Sequence, residues 1–213
     1  EATPVRIVLN VVPYNHPPEI DNQTWHVFQN TPHSGIFPII EYENDPTNIA
    51  VLNAPTHGEL SIDSVEQSYL YTAHTDFIGT DTFEITVVDN LPRTQTPQPT
   101  TVEVITHPVL QTMDSSIAEA DNAQLNFTLQ LTGVDTLPVS VSYTTLANTA
   151  TAGEDYETTQ GTLTFAPGET EKQLPINILN DDKDEIDTQY DSSDNRHHQE
   201  TFYLQLSQAI NTR

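Results

Sequence analysis

The sequence predicts an all-β protein built as two tandem Ig-like, Greek-key β-sandwiches. Period-two alternation of apolar and polar residues recurs along the whole chain, which is the spacing of a strand with one buried face. The alternating runs are rich in Thr, Val, Ile, Tyr and Phe, and Pro, Asn, Asp or Gly separates them about every 8–12 residues, the punctuation of a sandwich. Helical periodicity is absent, and fifteen prolines, several at strand edges, fit strands better than helices.

Taken in order, Val5, Ile7, Leu9 and Val11 alternate and predict a first strand. Pro13-Tyr14-Asn15-His16-Pro17-Pro18 follows as a stiff extended linker, because each proline fixes its own φ and biases the residue before it. Phe83, Ile85 and Val87 mark a strand over Thr82–Val88, and Thr101–Thr106 marks another. The Pro- and Thr-rich stretch Leu91–Thr101 between them reads as a long hairpin loop rather than a linker. His107-Pro108 makes the second break. Beyond it the alternating sets are Leu125 to Leu131, Val139 to Tyr143, Leu174 to Ile178 and Phe202 to Leu206. The predicted organisation is therefore residues 1–13 as a linker strand or the last strand of a preceding repeat, 14–107 as a first sandwich and 108–213 as a second. At 213 residues, against about 150 per domain, two small domains fit.

Composition narrows the function. Six Lys and Arg against 31 Asp and Glu leave a formal charge of −25, which excludes a phosphate-binding surface for nucleic acid and argues against docking on anionic lipid. No apolar run approaches the about 20 residues of a membrane helix, so direct insertion is not expected, and no signal-peptide pattern opens the chain. The sequence starts in mid-strand and reads as a piece of something longer. With no cysteine, disulfides cannot staple these thin cores. The acids cluster instead of spreading: seven carboxylates lie among the fourteen residues Asp181–Asp194, offset within Asp181–Asp187 only by Lys183. Such a chain repels itself unless cations sit among its carboxylates.

A family resemblance enters on specific residues. Thr151-Ala152-Gly153-Glu154-Asp155-Tyr156, the strand Gly161-Thr162-Leu163-Thr164-Phe165, the turn Pro167-Gly168-Glu169-Thr170, the Asp181-Asp182 pair and Glu200-Thr201-Phe202-Tyr203-Leu204-Gln205-Leu206-Ser207 come in that order. Together they resemble the Calx-β domain, a calcium-binding sandwich of sodium–calcium exchangers, an integrin subunit and many bacterial surface proteins. Ile117–Asp121 stands where that family has its Ser-Glu-Gly opening. The preceding unit is similar to the cadherin-like or bacterial Ig-like repeats of giant adhesins, through Asn53–Leu60 and Tyr69–Asp89, with Asn15-His16-Pro17-Pro18 at the junction. The chain departs from the Calx-β pattern by an insertion over Thr188–Gln199 and by stopping at Arg213, before the strand that closes the family's sandwich.

The resemblance implies Ca²⁺ as the bound ion and Glu119, Asp155, Asp181, Asp182, Glu185 and Glu200 as its ligands. Calcium takes 6–8 oxygens in irregular geometry, so loop carboxylates at one end of a sandwich can supply it. Without an ion, each carboxylate pair at 4 Å costs about 1 kcal/mol in water. The competing reading is a solvated acidic loop. The EF-hand spacing fails, because a loop starting at Asp182 would put Ile186 at its third ligand. His197-His198 reads as a surface pair and not a transition-metal site. Asp76, Asp81 and Asp89 are candidates for a junctional ion, with turn capping as the alternative, and Trp25 reads as core.

No catalytic signature is present: there is no Gly-x-Ser-x-Gly, no His-Glu-x-x-His, no P-loop and no cysteine nucleophile. Non-enzymatic function is the expectation. The leading class is an extracellular, calcium-rigidified extender or adhesion module of a large secreted or cell-surface, membrane-associated protein. Its partners would be neighbouring tandem repeats and a cell-surface protein or glycan. The alternative is an accessory or carbohydrate-binding module of an extracellular polysaccharide-active enzyme, with Tyr14, Tyr42 and Tyr190 as its aromatic candidates. A regulatory calcium sensor stands third, and sequons at Asn22 and Asn126 leave a eukaryotic matrix origin open. The strand over residues 1–12 is expected either to add to the first unit or to pair with the open edge of a neighbour's second unit.

Overall fold

Along β6 and β7, the strands over 79–89 and 100–107, side chains of one parity are buried and those of the other are half-buried or exposed except at the strand ends, as the alternation requires. The computed structural model describes residues 6, 8, 14–89, 96–117, 123–179 and 200–213. Among the described residues there are thirteen strands and no helix. They divide into two units, Glu1–His74 with Thr80–Ile105 and Thr75–Gly79 with Thr106–Arg213. Of the predicted first strand, only Arg6 and Val8 are described; both are exposed and lie outside any strand.

The first unit contains β1 (Gln23–Phe28), β2 (His33–Ile36), β3 (Thr47–Asn53), β4 (Gly58–Asp63), β5 (Ser68–Ala73), β6 (Gly79–Asp89) and β7 (Thr100–His107), except that Gly79, Thr106 and His107 at the ends of β6 and β7 group with the second unit. One sheet runs β1-β7-β6-β3 and the other β2-β5-β4. β6 and β7 are neighbours in their sheet; of the Pro- and Thr-rich stretch between them, expected to be a hairpin loop, residues 90–95 lie outside the described residues. Both sheets contribute to one core: Phe83, Ile85 and Val87 from β6 meet Tyr71 and Ala73 from β5. Burying each such large apolar side chain contributes about 1.5–3 kcal/mol. Trp25 is core, 5% exposed, with its ring stacked on Tyr69 at 4.0 Å and 17°.

Aromatic rings in this unit lie over glycines across the strands. Gly35 pairs directly with Tyr69, and a Cβ there would stand 2.6 Å from the Tyr69 hydroxyl. Gly58 faces the ring of Tyr71, which is wholly buried. Burial, and then the charge of Asp81, push the Tyr71 phenol up to about 12.

The second unit contains β8 (Leu110–Thr112), β9 (Gln124–Leu131), β10 (Val139–Ala147), β11 (Gln160–Phe165), β12 (Glu171–Asn177) and β13 (Phe202–Ile210). Its sheets run β11-β10-β13 and β12-β9-β8. Leu129, Val139, Val141, Phe165 and Ile176 form the centre of its core, all at most 1% exposed. Pro175 pairs with Asn126 inside β12, which is tolerated because β12 is an edge strand. The Gly-over-Tyr pairing recurs at Gly161 and Tyr143, direct partners in β11 and β10, which explains the glycine opening the Gly-Thr-Leu strand. Near the start of the unit, the buried His107 Nδ1 lies 2.9 Å from Asp135 Oδ2, and Asp135 Oδ1 accepts the Leu137 N–H at 2.8 Å.

Gly58→Ala is expected to lower the stability of the first unit by about 1–3 kcal/mol in a thermal melt, because the buried Tyr71 ring has nowhere to move. Asp81→Asn gives the second check. Asp81 is 5% exposed; burial pushes its pKa up, but the N–H groups of His57, Thr56 and Thr82 and the Thr56 hydroxyl hold it below the usual range. A depressed folded pKa contributes stability that is full above the unfolded value and lost as pH falls through the folded one. The variant should cost about 1–3 kcal/mol at pH 7, and the gap to the parent should close below the ordinary aspartate pKa of about 3.9. A gap that stays constant down to pH 2 would remove the charge from this account.

Candidate metal centre

The Thr-Ala-Gly-x-Asp-Tyr motif folds as a knot around one carboxylate. Thr151 O accepts the N–H groups of Glu154 at 3.2 Å and Asp155 at 3.0 Å, and Gly153 takes φ +85°, where a side chain is strained. The Asp155 carboxylate turns back, Oδ2 accepting the Thr151 N–H at 2.5 Å. Tyr156 follows, 1% exposed, and stacks on Phe202 at 4.1 Å and 12°. Each residue type in the motif therefore has a mechanical role: glycine for the turn, aspartate to close it, tyrosine to anchor it in the core.

Hydrogen bonds tie this turn to the segments that flank the other predicted ligands. Leu179 N–H donates to Asp155 O at 2.9 Å, and Ala150 N–H donates to Thr201 O at 3.0 Å. Asp155 is thus joined to Leu179, two residues before Asp181, and Ala150 to the residue just after Glu200. Ile178 N–H donates to Ala123 O at 2.9 Å, so the chain following Glu119 meets the same place. Glu119, Asp181, Asp182 and Glu185 themselves lie outside the described residues, as do Tyr190, Asp191 and Asp194. Of the six predicted ligands the structure places two: Asp155, buried at 8% exposure, and Glu200, exposed at the foot of β13.

Among the described residues no group of three His, Cys, Asp or Glu is close enough to hold a metal ion, and no cationic side chain pairs with Asp155. A buried carboxylate without a cation is costly. Its field is felt next door: burial, and then the charge of Asp155, raise the Tyr156 phenol pKa. The Tyr156 hydroxyl is buried and has no hydrogen-bond partner among the described residues. The donor chemistry is hard oxygen, which fits Ca²⁺ and not a soft metal.

The acids of the first unit behave differently. Asp81 accepts from Thr56 N, Thr56 Oγ1 and Thr82 N at Oδ1 and from His57 N at Oδ2 at 2.7 Å, so it caps a turn. Asp89 accepts from Asn15 Nδ2, and Asp76 is exposed. The three are not one group of ligands among the described residues. Sequence reasoning missed a different gathering in this unit, around Glu41, Glu43 and Asp45. Burial, then the charges of Glu41, Asp89 and Glu43, raise the Asp45 pKa, whereas the hydrogen bond with His16, at 2.5 Å, chiefly lowers that of Glu43. The closely spaced acids in Glu41-Tyr42-Glu43-Asn44-Asp45 were the available signal.

The comparisons with known proteins follow the same division. The family model described as Calx-beta domain matches residues 105–212, and that described as Bacterial Ig domain matches residues 15–105. Sodium/calcium exchanger 1 of Canis lupus familiaris is 46% identical over 52 residues, 24% of this chain and 5% of the exchanger. Sodium/calcium exchanger 2 of Homo sapiens is 50% identical over 50 residues, again 24% and 5%. The match thus spans only a small part of the exchangers' length. The solved calcium binding domain CBD12 of CALX1.1 covers 73% of this chain and 73% of its own at 22% identity, with a TM-score of 0.32, too loose to place residues. On the family match over half its length, joined to the Asp155 turn and the strand order around it, this chain belongs to the Calx-β family, with a bacterial Ig-like domain preceding the Calx-β domain.

Proposed function

We propose that this chain is a non-catalytic calcium-binding extender or adhesion module of a large secreted or cell-surface protein. Ca²⁺ would be held by Asp155 and Glu200 with Glu119, Asp181, Asp182 and Glu185, and would clip three distant segments of the second sandwich together. The observation that carries the reading is the buried Asp155 turn, hydrogen-bonded to both the Leu179 and Thr201 sides of the acidic segment. The ion's contribution is charge: it replaces carboxylate repulsion with shared attraction. The protein's own residues preset the turn, through Thr151 N–H and the Tyr156–Phe202 stack, so that the carboxylate is oriented before an ion arrives. Short Pro-rich linkers such as Pro13–Pro18 restrict hinge motion, which suits an array of tandem repeats presenting a distal binder. The partners in this reading are adjacent repeats and a cell-surface protein or glycan, with no catalytic step.

A second reading, a carbohydrate-binding accessory module, is favoured by one surface feature. Tyr14 and Tyr42 are 49% and 59% exposed and flank His16, at centroid distances of 4.5 and 5.4 Å. Glycan binding lost in a Tyr14→Ala/Tyr42→Ala variant would establish it, and a blank glycan array would dismiss it.

Two measurements test the calcium reading. Calcium should raise the melting temperature of the second unit well above the value in chelator, by a stabilisation of about 2.7 kcal/mol at a hundredfold excess over Kd. An equal concentration of Mg²⁺ should do much less, since magnesium keeps its waters and demands octahedral geometry. Identical melts in calcium and chelator would overturn the reading. In calorimetry, Asp155→Asn and Asp181→Asn should each abolish most of the calcium response, while Asp191→Asn and Asp194→Asn, in the insertion, should leave it intact. The reverse pattern would move the site into the insertion.

A further inference from the structure

We propose that the outward face of the sheet β11-β10-β13 binds an extended, uncharged polysaccharide chain. Each of the other sheets carries charged side chains that are half-buried or exposed: Glu84 and Glu103 in β1-β7-β6-β3, Glu59 and Asp63 in β2-β5-β4, and Glu171 and Lys172 in β12-β9-β8. No residue of β10, β11 or β13 is charged, in a chain with 31 acids. Cross-strand pairing sets the outward side chains of this sheet in rows. Gln160, Thr144 and Gln205 form one row, Thr162, Ser142 and Ser207 the next, and Leu146 stands opposite Tyr203 on the other side of Thr144. Rows lie about 7 Å apart along the strands, and strands about 5 Å apart. The intervening residues, Val141, Tyr143 and Leu204 among them, pack in or against the core, so packing from below holds the rows in place. Ser142 Oγ lies 3.5 Å from Thr162 Oγ1 and donates to Gln208 Oε1 at 3.1 Å, joining three side chains in one line. β13 carries one extra residue between the partners of Ser140 and Ser142, and Gln208 there takes φ +50°. A bulge of this kind re-aims a side chain, here an amide towards Ser142.

The chemistry of the face selects the ligand. Hydroxyl and amide side chains both donate and accept, as sugar hydroxyls do, whereas a carboxylate only accepts. Tyr203 is 58% exposed and Leu146 42% exposed, which gives the apolar C–H face of a sugar ring a place to pack. With no Lys or Arg the face has no counter-charge for a phosphate or sulfate ester, and with no acid it buries no charge when a neutral chain covers it. A second copy docked face to face fits less well. The core of a protein interface is mostly apolar, and the rows offer only Tyr203 and Leu146. From Ser140 to Leu146 the face runs about 20 Å along β10, which suits a chain of sugars better than a single ring. None of these residues is a predicted calcium ligand, so the proposal is independent of the calcium reading. It gives the carbohydrate reading a surface in the second unit, whereas Tyr14 and Tyr42 belong to the first.

Electrophoresis of the full chain through polyacrylamide containing dextran, mannan, galactan or β-glucan reads the binding, in calcium and in chelator. The expected result is that at least one of these neutral polymers retards the chain in both conditions. Tyr203→Ala and, separately, Thr162→Glu should each raise the dissociation constant roughly tenfold or more, while their thermal melts match the parent because both positions are exposed. The Tyr14→Ala/Tyr42→Ala variant should bind like the parent. Retardation by none of the four polymers would overturn the proposal, and so would Tyr203→Ala and Thr162→Glu variants that both bind like the parent. Loss confined to Tyr14→Ala/Tyr42→Ala would also overturn it, because binding would then belong to the first unit. Concentration-dependent sedimentation without polysaccharide, abolished by Thr162→Glu, would make the face a contact between copies and overturn it as well.

Discussion

Everything at the rim of the second sandwich depends on one carboxylate being buried in a turn. Asp155 is bonded to its own turn through Thr151, and its backbone oxygen holds Leu179, while the neighbouring Ala150 holds Thr201. Removing its charge from water is unfavourable, and among the described residues its carboxylate accepts the Thr151 N–H in return. The local energetics therefore favour a positive partner, and the strands leading away from the turn are the ones that would have to carry the remaining ligands to it. The Tyr156–Phe202 stack makes the arrangement stiff on the core side, so the acidic segment is pinned at both ends whatever its own conformation.

Much of the fold was legible because a strand with one buried face writes its geometry into the sequence at period two. Phe83, Ile85 and Val87 are a direct example: same parity, all at most 1% exposed. Trp25 was legible for the same reason, as a large apolar side chain in a strand phase. What could not be read were interactions between positions far apart in the chain. Gly35 and Tyr69 pair across strands, as do Gly161 and Tyr143, and nothing local to a glycine says which ring covers it. Asp81 shows the limit from the electrostatic side. Its sequence context fitted an ion ligand as well as a cap, and only the donors from Thr56, His57 and Thr82 decide for the cap. At the candidate metal centre, the motif order placed Asp155 correctly at a turn, but the hydrogen bonds from Leu179 and to Thr201 have no local signature at all.

The uneven distribution of charge is as informative as its total. A net of −25 over 213 residues could have been spread as a solvating coat, yet several strands carry no acid while short loops carry several. Strands without acids can pack or pair, and loops dense in acids repel one another unless a cation sits between them. The chain thus separates the surfaces that can meet other polypeptide from those that can meet ions, and the family's order of motifs follows that separation.

Pro175 has a consequence for how far such meetings can propagate. It sits in edge strand β12 opposite Asn126 and removes one backbone donor from the outward side of that strand. The other margin of the same sheet, β8, is only three residues long. A cross-β stack grows only when every added layer exposes a fresh, complete template. This sheet presents an interrupted template on one margin and a truncated one on the other, so it lacks a complete edge from which a fibril could grow.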